Sequence, residues 1–399
     1  MLLAKVAAAI LIAGPHASDY RDRYPMPDGT VPNGWGVNVN SRDLTEKDLD
    51  GIAQLGAKWI RLDLLWSNVE RKAGEYNFSK YDDFLADVQK RGMRAILVLN
   101  YGNGVYGVAT PNTREGRTAF ANYAAVAVKH YRHQGVLWEI WNEPNLNRYW
   151  RGKPSAEEYA ALVKVVVPAM REVSSDEWII GPATSRFDWP YLEEAFANGV
   201  LPLIDAISVH PYRDQAPPET VMADWDRLRR LVAQYAPPGK NLPLICSEWG
   251  YSSYAKGVPA VKQGHYAVRA YLSNLAAGAP LTIWYAWKER PDIESEKEKH
   301  FGLVTSDLNP KPGFLTVQST LASLKGFTLD GKLDLGDSRD LGFVFKKGAE
   351  ERLAVWTIDN LPKKVMFSRA TASLPVHLGG AVTERLVEVT DAVQVLKGL

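Results

Sequence analysis

Eight short apolar runs, each followed by a longer amphipathic stretch, punctuate the chain between residues 35 and 325. They lie at 35–40, 59–63, 95–100, 137–141, 178–182, 206–210, 244–248 and 281–287. Each is rich in β-branched or aromatic residues and apolar on both faces, as expected of a parallel strand buried between helices. Helix start signals fall in between. Thr45-Glu-Lys-Asp48 and Ser155-Ala-Glu-Glu158 both have the form of a capping box, the first with Asp in place of Glu. Tyr81, Phe84, Leu85 and Val88 share one face of a helix that Gly92 ends. Eight strand–helix units specify a closed barrel or a doubly wound open sheet. A dinucleotide-binding sheet needs a glycine-rich phosphate turn after its first strand. The first run here ends Val37-Asn-Val-Asn40 with no such turn, which also disfavours a Rossmann-type oxidoreductase. The expected fold is therefore α/β, a (β/α)8 TIM barrel over residues 19–325.

After about Lys325 the pattern changes to short alternating segments at 332–335, 342–346, 353–357 and 364–368, separated by turn signals. Residues 326–399 are expected to form a small antiparallel β-sandwich domain. At the other end, Lys5 precedes a short apolar stretch with a small-residue exit near Ala17. This is the pattern of a signal peptide over residues 1–18, which implies a secreted or periplasmic protein. The stretch is too short for a comfortable membrane span, and no other segment without charges approaches that length.

The formal net charge of +1 gives no global field for nucleic acid or an anionic membrane. The single cysteine, Cys246, excludes an internal disulfide, and its apolar run marks it as a small buried hydrophobe. No His/Cys/Asp grouping has metal-ligand spacing, so neither a metal nor another cofactor is expected. Some of the 13 Trp and 18 Tyr are expected to line a ligand cleft, although most will be core.

Barrel active sites lie at the C-terminal ends of the strands. The polar and aromatic residues there are Asn38 and Asn40, Arg61 and Asp63, Asn100, Asn142 and Glu143, His210 and Tyr212, Glu248, and finally Trp284 and Trp287. The fifth strand, ending at 182–185, looks chemically quiet. One glutamate at a buried strand end reads most simply as half of an ion pair. Two, Glu143 and Glu248, on strands facing each other across one mouth, meet the requirement for glycosidic bond cleavage. One must carry a proton for the leaving oxygen while the other stays ionised, so their environments must separate their pKa values. Arg61 is placed to keep Glu248 ionised, the Tyr212 hydroxyl to donate to it, and Asn142 to hold a sugar hydroxyl.

These residues carry a family resemblance. Trp138-Glu-Ile-Trp-Asn-Glu-Pro-Asn145 resembles the strand-4 signature of the clan A glycoside hydrolases, and Ser247-Glu-Trp-Gly250 their strand-7 nucleophile segment. His210-Pro-Tyr212, Arg61 and Ile283-Trp-Tyr-Ala-Trp287 resemble the matching strand-6, strand-2 and strand-8 features. The likeness spans about residues 33–325 and is nearest families 39 and 5, in particular endo-acting exopolysaccharide glycosidases. It implies a retaining β-glycoside hydrolase with Glu143 as acid/base and Glu248 as nucleophile. Arg61, Asn142, His210, Tyr212, Trp284, Trp287, Asn38 and Asn100 would support the substrate site, and the partner would be a carbohydrate. A transglycosylase with the same pair, or a non-catalytic carbohydrate-binding barrel, is the alternative. The sequence leaves the oligomeric state open. Other polar residues have purely structural explanations. Glu139 is expected to point away from the site in a structural ion pair, Asp63 to pair with Arg61 as scaffold, and His133 to lie on the bottom face. Residues 101–106 are candidates for lining a sugar subsite, and 289–299 for a cleft wall.

Overall fold

Parallel pairing closes the first eight strands into a barrel, each hydrogen-bonded to the next and the eighth to the first. They are β1 (Trp35–Asn38), β2 (Trp59–Leu65), β3 (Arg94–Asn100), β4 (Leu137–Ile140), β5 (Trp178–Ser185), β6 (Ala206–His210), β7 (Leu244–Trp249) and β8 (Leu281–Trp284). The computed structural model describes residues 18–40, 44–290, 295–359, 361–367 and 385–397. The segment read as a signal peptide lies, but for Ser18, outside the described residues.

The helices are α1 (Ser18–Arg23), α2 (Glu46–Leu55), α3 (Trp66–Val69), α4 (Ser79–Lys90), α5 (Arg114–Tyr131), α6 (Ala156–Val173), α7 (Trp189–Ala197), α8 (Val221–Tyr235), α9 (Ala260–Ala276) and α10 (Pro312–Ser323). One long helix follows each strand, so the chain winds strand, helix, strand around the closed sheet. The capping signals work as their chemistry requires. Thr45 and Asp48 form the reciprocal box that starts α2, and Ser155 accepts the Glu158 amide at the start of α6. In α4, Tyr81, Leu85 and Val88 are buried, and Gly92 follows with φ +67°.

Two interior layers set the floor and the wall of the barrel mouth. The lower layer is apolar, with Trp59, Ile96, Leu137, Ile180, Ala206 and Ile245 among its members. One layer up, the barrel interior turns polar: Arg61, Glu139, Ser208 and Ser247 are buried there. At the bottom, α1 lies against the β4–β5 region, where the Arg21 guanidinium caps the Trp178 ring at 4.3 Å and pairs with Asp205 at 2.9 Å.

The C-terminal part forms antiparallel sheets: β9 (Thr328–Leu333), β10 (Asp340–Lys347), β11 (Glu350–Thr357), β12 (Lys363–Phe367), β13 (Arg385–Val389) and β14 (Gln394–Lys397). Four of these form one sheet in the order β14-β11-β10-β9, and β12 pairs with β13. The four segments expected from the sequence become β9–β12. The two last strands gave no clear alternation. A buried cluster fastens this sheet to the barrel. Glu219 accepts Arg269 Nε at 2.6 Å and Nη2 at 2.8 Å, and Trp356 Nε1 of β11 at 2.7 Å. Among the described residues, no helix is long and apolar enough to cross a membrane.

Removing one partner of a buried ion pair leaves the other charge uncompensated. Glu219→Ala is therefore expected to lower the unfolding free energy by about 3–5 kcal/mol, read from urea unfolding followed by tryptophan fluorescence. A loss within error of zero would show that the clasp contributes nothing to stability.

Candidate active site

Arg61 rises from β2 into the centre of the barrel and touches four groups. Its Nε donates to Glu139 at 2.7 Å, Nη1 to Glu248 at 2.7 Å, and Nη2 to Asn142 at 2.8 Å. The same Nη2 lies 3.4 Å from His210 Nε2. A guanidinium can only donate, so this imidazole nitrogen accepts, and the ring proton belongs on Nδ1. Nδ1 faces Glu143 Oε1 at 3.1 Å, so His210 donates to that carboxylate. Burial works against the Arg61 charge, but Glu139, Glu248 and Asp63 outweigh it and hold the guanidinium firmly protonated.

Glu248, near the end of β7, receives three donors. Besides Arg61 these are Tyr212 Oη at 2.7 Å and Asn38 Nδ2 at 2.9 Å. Glu143, three residues beyond the end of β4, receives His210 alone among these donors. Oxygens of the two carboxylates and a His210 nitrogen lie within 4.8 Å of one another. Burial pushes the Glu248 carboxyl above the usual glutamate range; His210, Arg61 and Tyr212 pull it back, and the Glu143 charge raises it further. Burial also raises Glu143, but His210 outweighs it, with help from Ser185 and Arg61, and the net direction is downward. Two buried carboxyls this close cannot both ionise readily, so they titrate as a pair that shares a proton.

The backbone that aims Glu143 is unusual. Trp141 (φ +68°) and Glu143 (φ +43°) adopt left-handed conformations that non-glycine residues rarely visit. The Glu143 amide donates to the Ala183 carbonyl at 3.0 Å, and Ala183 (φ +54°) sits where the pairing of β5 with β6 slips between Pro182 and Thr184. The fifth strand is thus not the quiet one that its sequence suggests. Its distortion props up Glu143, and Ser185 and Arg186 line the cleft. No residue in 182–186 signals this, because a bulge leaves no compositional mark.

The remaining expected residues divide. Asn38, Arg61, Asn142, Tyr212 and Trp287 line one cleft of about 920 Å³ with Glu143 and Glu248. Tyr101, Glu289 and Glu298 line it too, as the loop readings anticipated. His210 is fully buried beneath Glu143, and buried Asn100 reaches the cleft only through Asp63, to which its Nδ2 donates at 2.8 Å. Trp284 does not face the cleft; it is buried with Nε1 on the Phe301 carbonyl at 3.2 Å. Trp287 is held from behind, its Nε1 on Asp48 Oδ1 at 2.9 Å, beside Lys288 on the same oxygen at 3.0 Å. Gly51 leaves room for this indole, since a Cβ there would meet it at 2.8 Å.

Several structural expectations change. Glu139 does pair with Arg61, but it lies inside the barrel beneath the site rather than pointing away. Its strand ends at Ile140, and period-two counting fails across the left-handed residues beyond. Burial raises its pKa, but Arg61, His210, Ser247 and Ser208 outweigh burial and hold it ionised. Asp63 binds Asn100 rather than Arg61, and burial lifts its carboxyl above the usual range. Asn40 lines the cleft as well. His133 sits near α1, its ring 5.1 Å from that of Tyr20. Cys246 is buried and its thiol is pushed far up by burial, which makes it inert.

Two groups of possible metal ligands converge that linear spacing did not show: Glu143, His210 and Glu248, and His133, Asp176 and Glu177. In the first, the Arg61 cation already occupies the carboxylate that a metal would need. In the second, Glu177 is taken up by protein donors, with Oε1 on the His133 amide at 2.7 Å and Oε2 on Tyr20 and Trp138, each at 3.1 Å.

A (β/α)8 barrel that brings two carboxylates together at the ends of β4 and β7 defines a site of the glycosidase class. Comparison with known proteins agrees. Residues 24–290 match the family model "Cellulase (glycosyl hydrolase family 5)", and the chain belongs to that family, within the clan A glycoside hydrolases related to families 39 and 5. A β-xylosidase of Geobacillus stearothermophilus is 26% identical over 205 residues, covering 45% of this chain and 39% of that protein. A β-xylosidase of Caldicellulosiruptor saccharolyticus is 34% identical over 126 residues, 29% of this chain and 25% of that protein. The chain thus spans well under half the length of these curated relatives. In fold it is similar to a family 39 glycoside hydrolase from Bacteroides cellulosilyticus WH2. The TM-score is 0.79 at 23% identity, over 93% of this chain and 81% of that one. A family 39 β-xylosidase from Caulobacter crescentus gives 0.62 at 18% identity, over 86% and 81%.

Arg61→Met strands two buried carboxylates at once. The expected loss of stability is about 3–5 kcal/mol, measurable by urea unfolding at neutral pH, and it should shrink at acidic pH as Glu139 and Glu248 take up protons. A loss that does not change with pH would show that the two carboxylates are not what Arg61 balances.

Proposed function

We propose that this glycoside hydrolase cleaves β-linked glycans with retention, by double displacement, Glu248 acting as nucleophile and Glu143 as acid/base. The observation that carries the reading is that an oxygen of one carboxylate lies within 4.8 Å of an oxygen of the other. Retaining enzymes hold their pair at about 5–5.5 Å, whereas inverting enzymes need roughly 6.5–9.5 Å to admit a water. The roles follow from the partners. Three donors fix the Glu248 carboxylate in place, as an attacking group must be fixed. Glu143 Oε1 rests on His210, and the carboxyl lines the cleft, where it can pass a proton to the leaving oxygen. Asn142 spends its Oδ1 on Arg61 and keeps its amide N–H groups for a sugar hydroxyl. His210 favours charge on Glu143, the opposite of what an acid needs. An incoming glycosidic oxygen that accepts from Glu143 favours the protonated form and reverses that order.

Attack by Glu248 on the anomeric carbon expels the aglycone as Glu143 protonates it. Water, deprotonated by Glu143, then releases the glycosyl group from Glu248. The substrate would be an oligo- or polysaccharide, with β-xylosides the first to test because of the curated relatives. The second hollow that adjoins the cleft at Tyr101 and Tyr149 favours cutting within a chain such as an exopolysaccharide. The N-terminal pattern of residues 1–18 supports a secreted or periplasmic location.

Glu143→Gln and Glu248→Gln should each reduce turnover of an aryl β-glycoside by about a thousandfold or more, with sugar binding retained. A 2-fluoro glycoside should label Glu248, read by peptide mass. Wild-type-like rates from either variant, or a label elsewhere, would refute the assignment. Because the pair must hold one proton, kcat/KM should trace a bell. The acid limb falls below the ordinary glutamate value of 4.5, where both carboxyls protonate, and the alkaline limb above it, where the last proton leaves. Glu143→Gln should abolish the alkaline limb for substrates whose leaving group needs no acid.

A further inference from the structure

Past the two carboxylates the cleft continues. It shares Tyr101, Arg148 and Tyr149 with a second hollow of about 710 Å³, which in turn shares Arg151 with a third of about 370 Å³. The Tyr101 and Tyr149 rings lie nearly parallel at the junction, 5.8 Å apart at 11°. One side is the β3–α5 loop. Gly104 and Gly107 open it, since a Cβ at either would meet nothing within 4 Å. The loop is held without any ligand. Asn103 Nδ2 donates to the Glu70 carbonyl at 2.8 Å, and the Tyr106 hydroxyl donates to the Glu70 carboxylate while its ring stacks on Trp66 at 5.2 Å. The groove is therefore preformed.

The charge of the second hollow is one-sided, while Glu115 lines the third. Arg148 and Arg151 are the ionised residues lining the second hollow; both are exposed, and neither forms an ion pair among the described residues. Several other cations along the cleft are already matched. Arg186 and Lys297 meet Asp214 at 2.6 and 3.5 Å, and Lys288 meets Asp48 at 3.0 Å. A guanidinium left unmatched in a groove offers its full fork of donors to a planar or tetrahedral anion. With a net charge of only +1, the protein as a whole supplies no such attraction, so it is local.

We propose that this groove is a subsite for an acidic sugar residue, one bearing a carboxylate or a sulfate ester, bound by Arg148 and Arg151 beside the bond that is cut. The proposal rests on the glycosidase reading above and narrows its substrate class to acidic glycans. The full chain carrying Glu248→Gln keeps substrates intact for calorimetric titration. The probes are xylohexaose, the same backbone with glucuronate side groups, and sulfated xylohexaose. At least one acidic oligomer should bind about tenfold tighter than the neutral one, and the margin should narrow as salt rises. Whichever acidic probe gains identifies the anion. Adding Arg148→Gln and Arg151→Gln should erase the margin, whereas Lys153→Gln, an exposed neighbour outside the groove lining, should keep it. Equal or weaker binding of both acidic oligomers overturns the proposal, as does no binding of any probe, a margin that survives the arginine changes, or one that Lys153→Gln also removes. Aryl-glycoside turnover tests the hydrolase reading on its own. If it is intact while the acidic preference fails, only the arginine subsite is discarded.

Discussion

One guanidinium organises the mouth of this barrel. Arg61 stands in a polar layer above an apolar floor and balances two carboxylates, Glu139 below it and Glu248 above. Neither carboxylate would be tolerated there alone, because an unpaired charge in such surroundings carries a large desolvation penalty. The fork geometry lets a single side chain fix Glu248, steer Asn142 and dictate the His210 tautomer at once. The position of the proton on His210, and through it the state of Glu143, thus depends on a residue held on a different strand from the glutamate it influences.

Much of this is legible in the chain. Eight apolar runs fall on the eight barrel strands, with ends off by a few residues, because parallel strands buried on both faces leave an unmistakable pattern. Residues that close those runs are at the mouth by construction, so Glu143, Glu248, Arg61 and Tyr212 can be named without coordinates. The failures share a cause: each lies where the backbone departs from its regular period. Alternation carried across Trp141 and Glu143 gives Glu139 the wrong direction, because their left-handed conformations reset it. The fifth strand looks quiet because a slipped pairing at Ala183 has no compositional signature. Trp284 is expected at the sugar and is instead beneath it; β8 ends there, and only the residues beyond turn outward.

The distortions also explain how a rigid scaffold aims Glu143. A regular strand would point its terminal carboxylate along the barrel axis or into the helices. Left-handed turns at Trp141 and Glu143, tied to Ala183, set the Glu143 carboxylate at an angle that a regular strand cannot reach, and the surrounding hydrogen bonds hold it there. Aromatic residues then line the cleft, Tyr101, Tyr149 and Trp287 among them.

The anchoring of Trp287 has a wider consequence. Its indole hangs from Asp48, the carboxylate that also completes the cap of α2 with Thr45. Burial favours the neutral form of Asp48, but Thr45, Lys288 and Trp287 together keep it charged. An outer helix and the inner wall of the cleft are thereby soldered at one atom group. The start of that helix cannot drift through neutral substitution without moving a wall of the cleft, so a position that looks like mere scaffolding is bound into the shape of the candidate site.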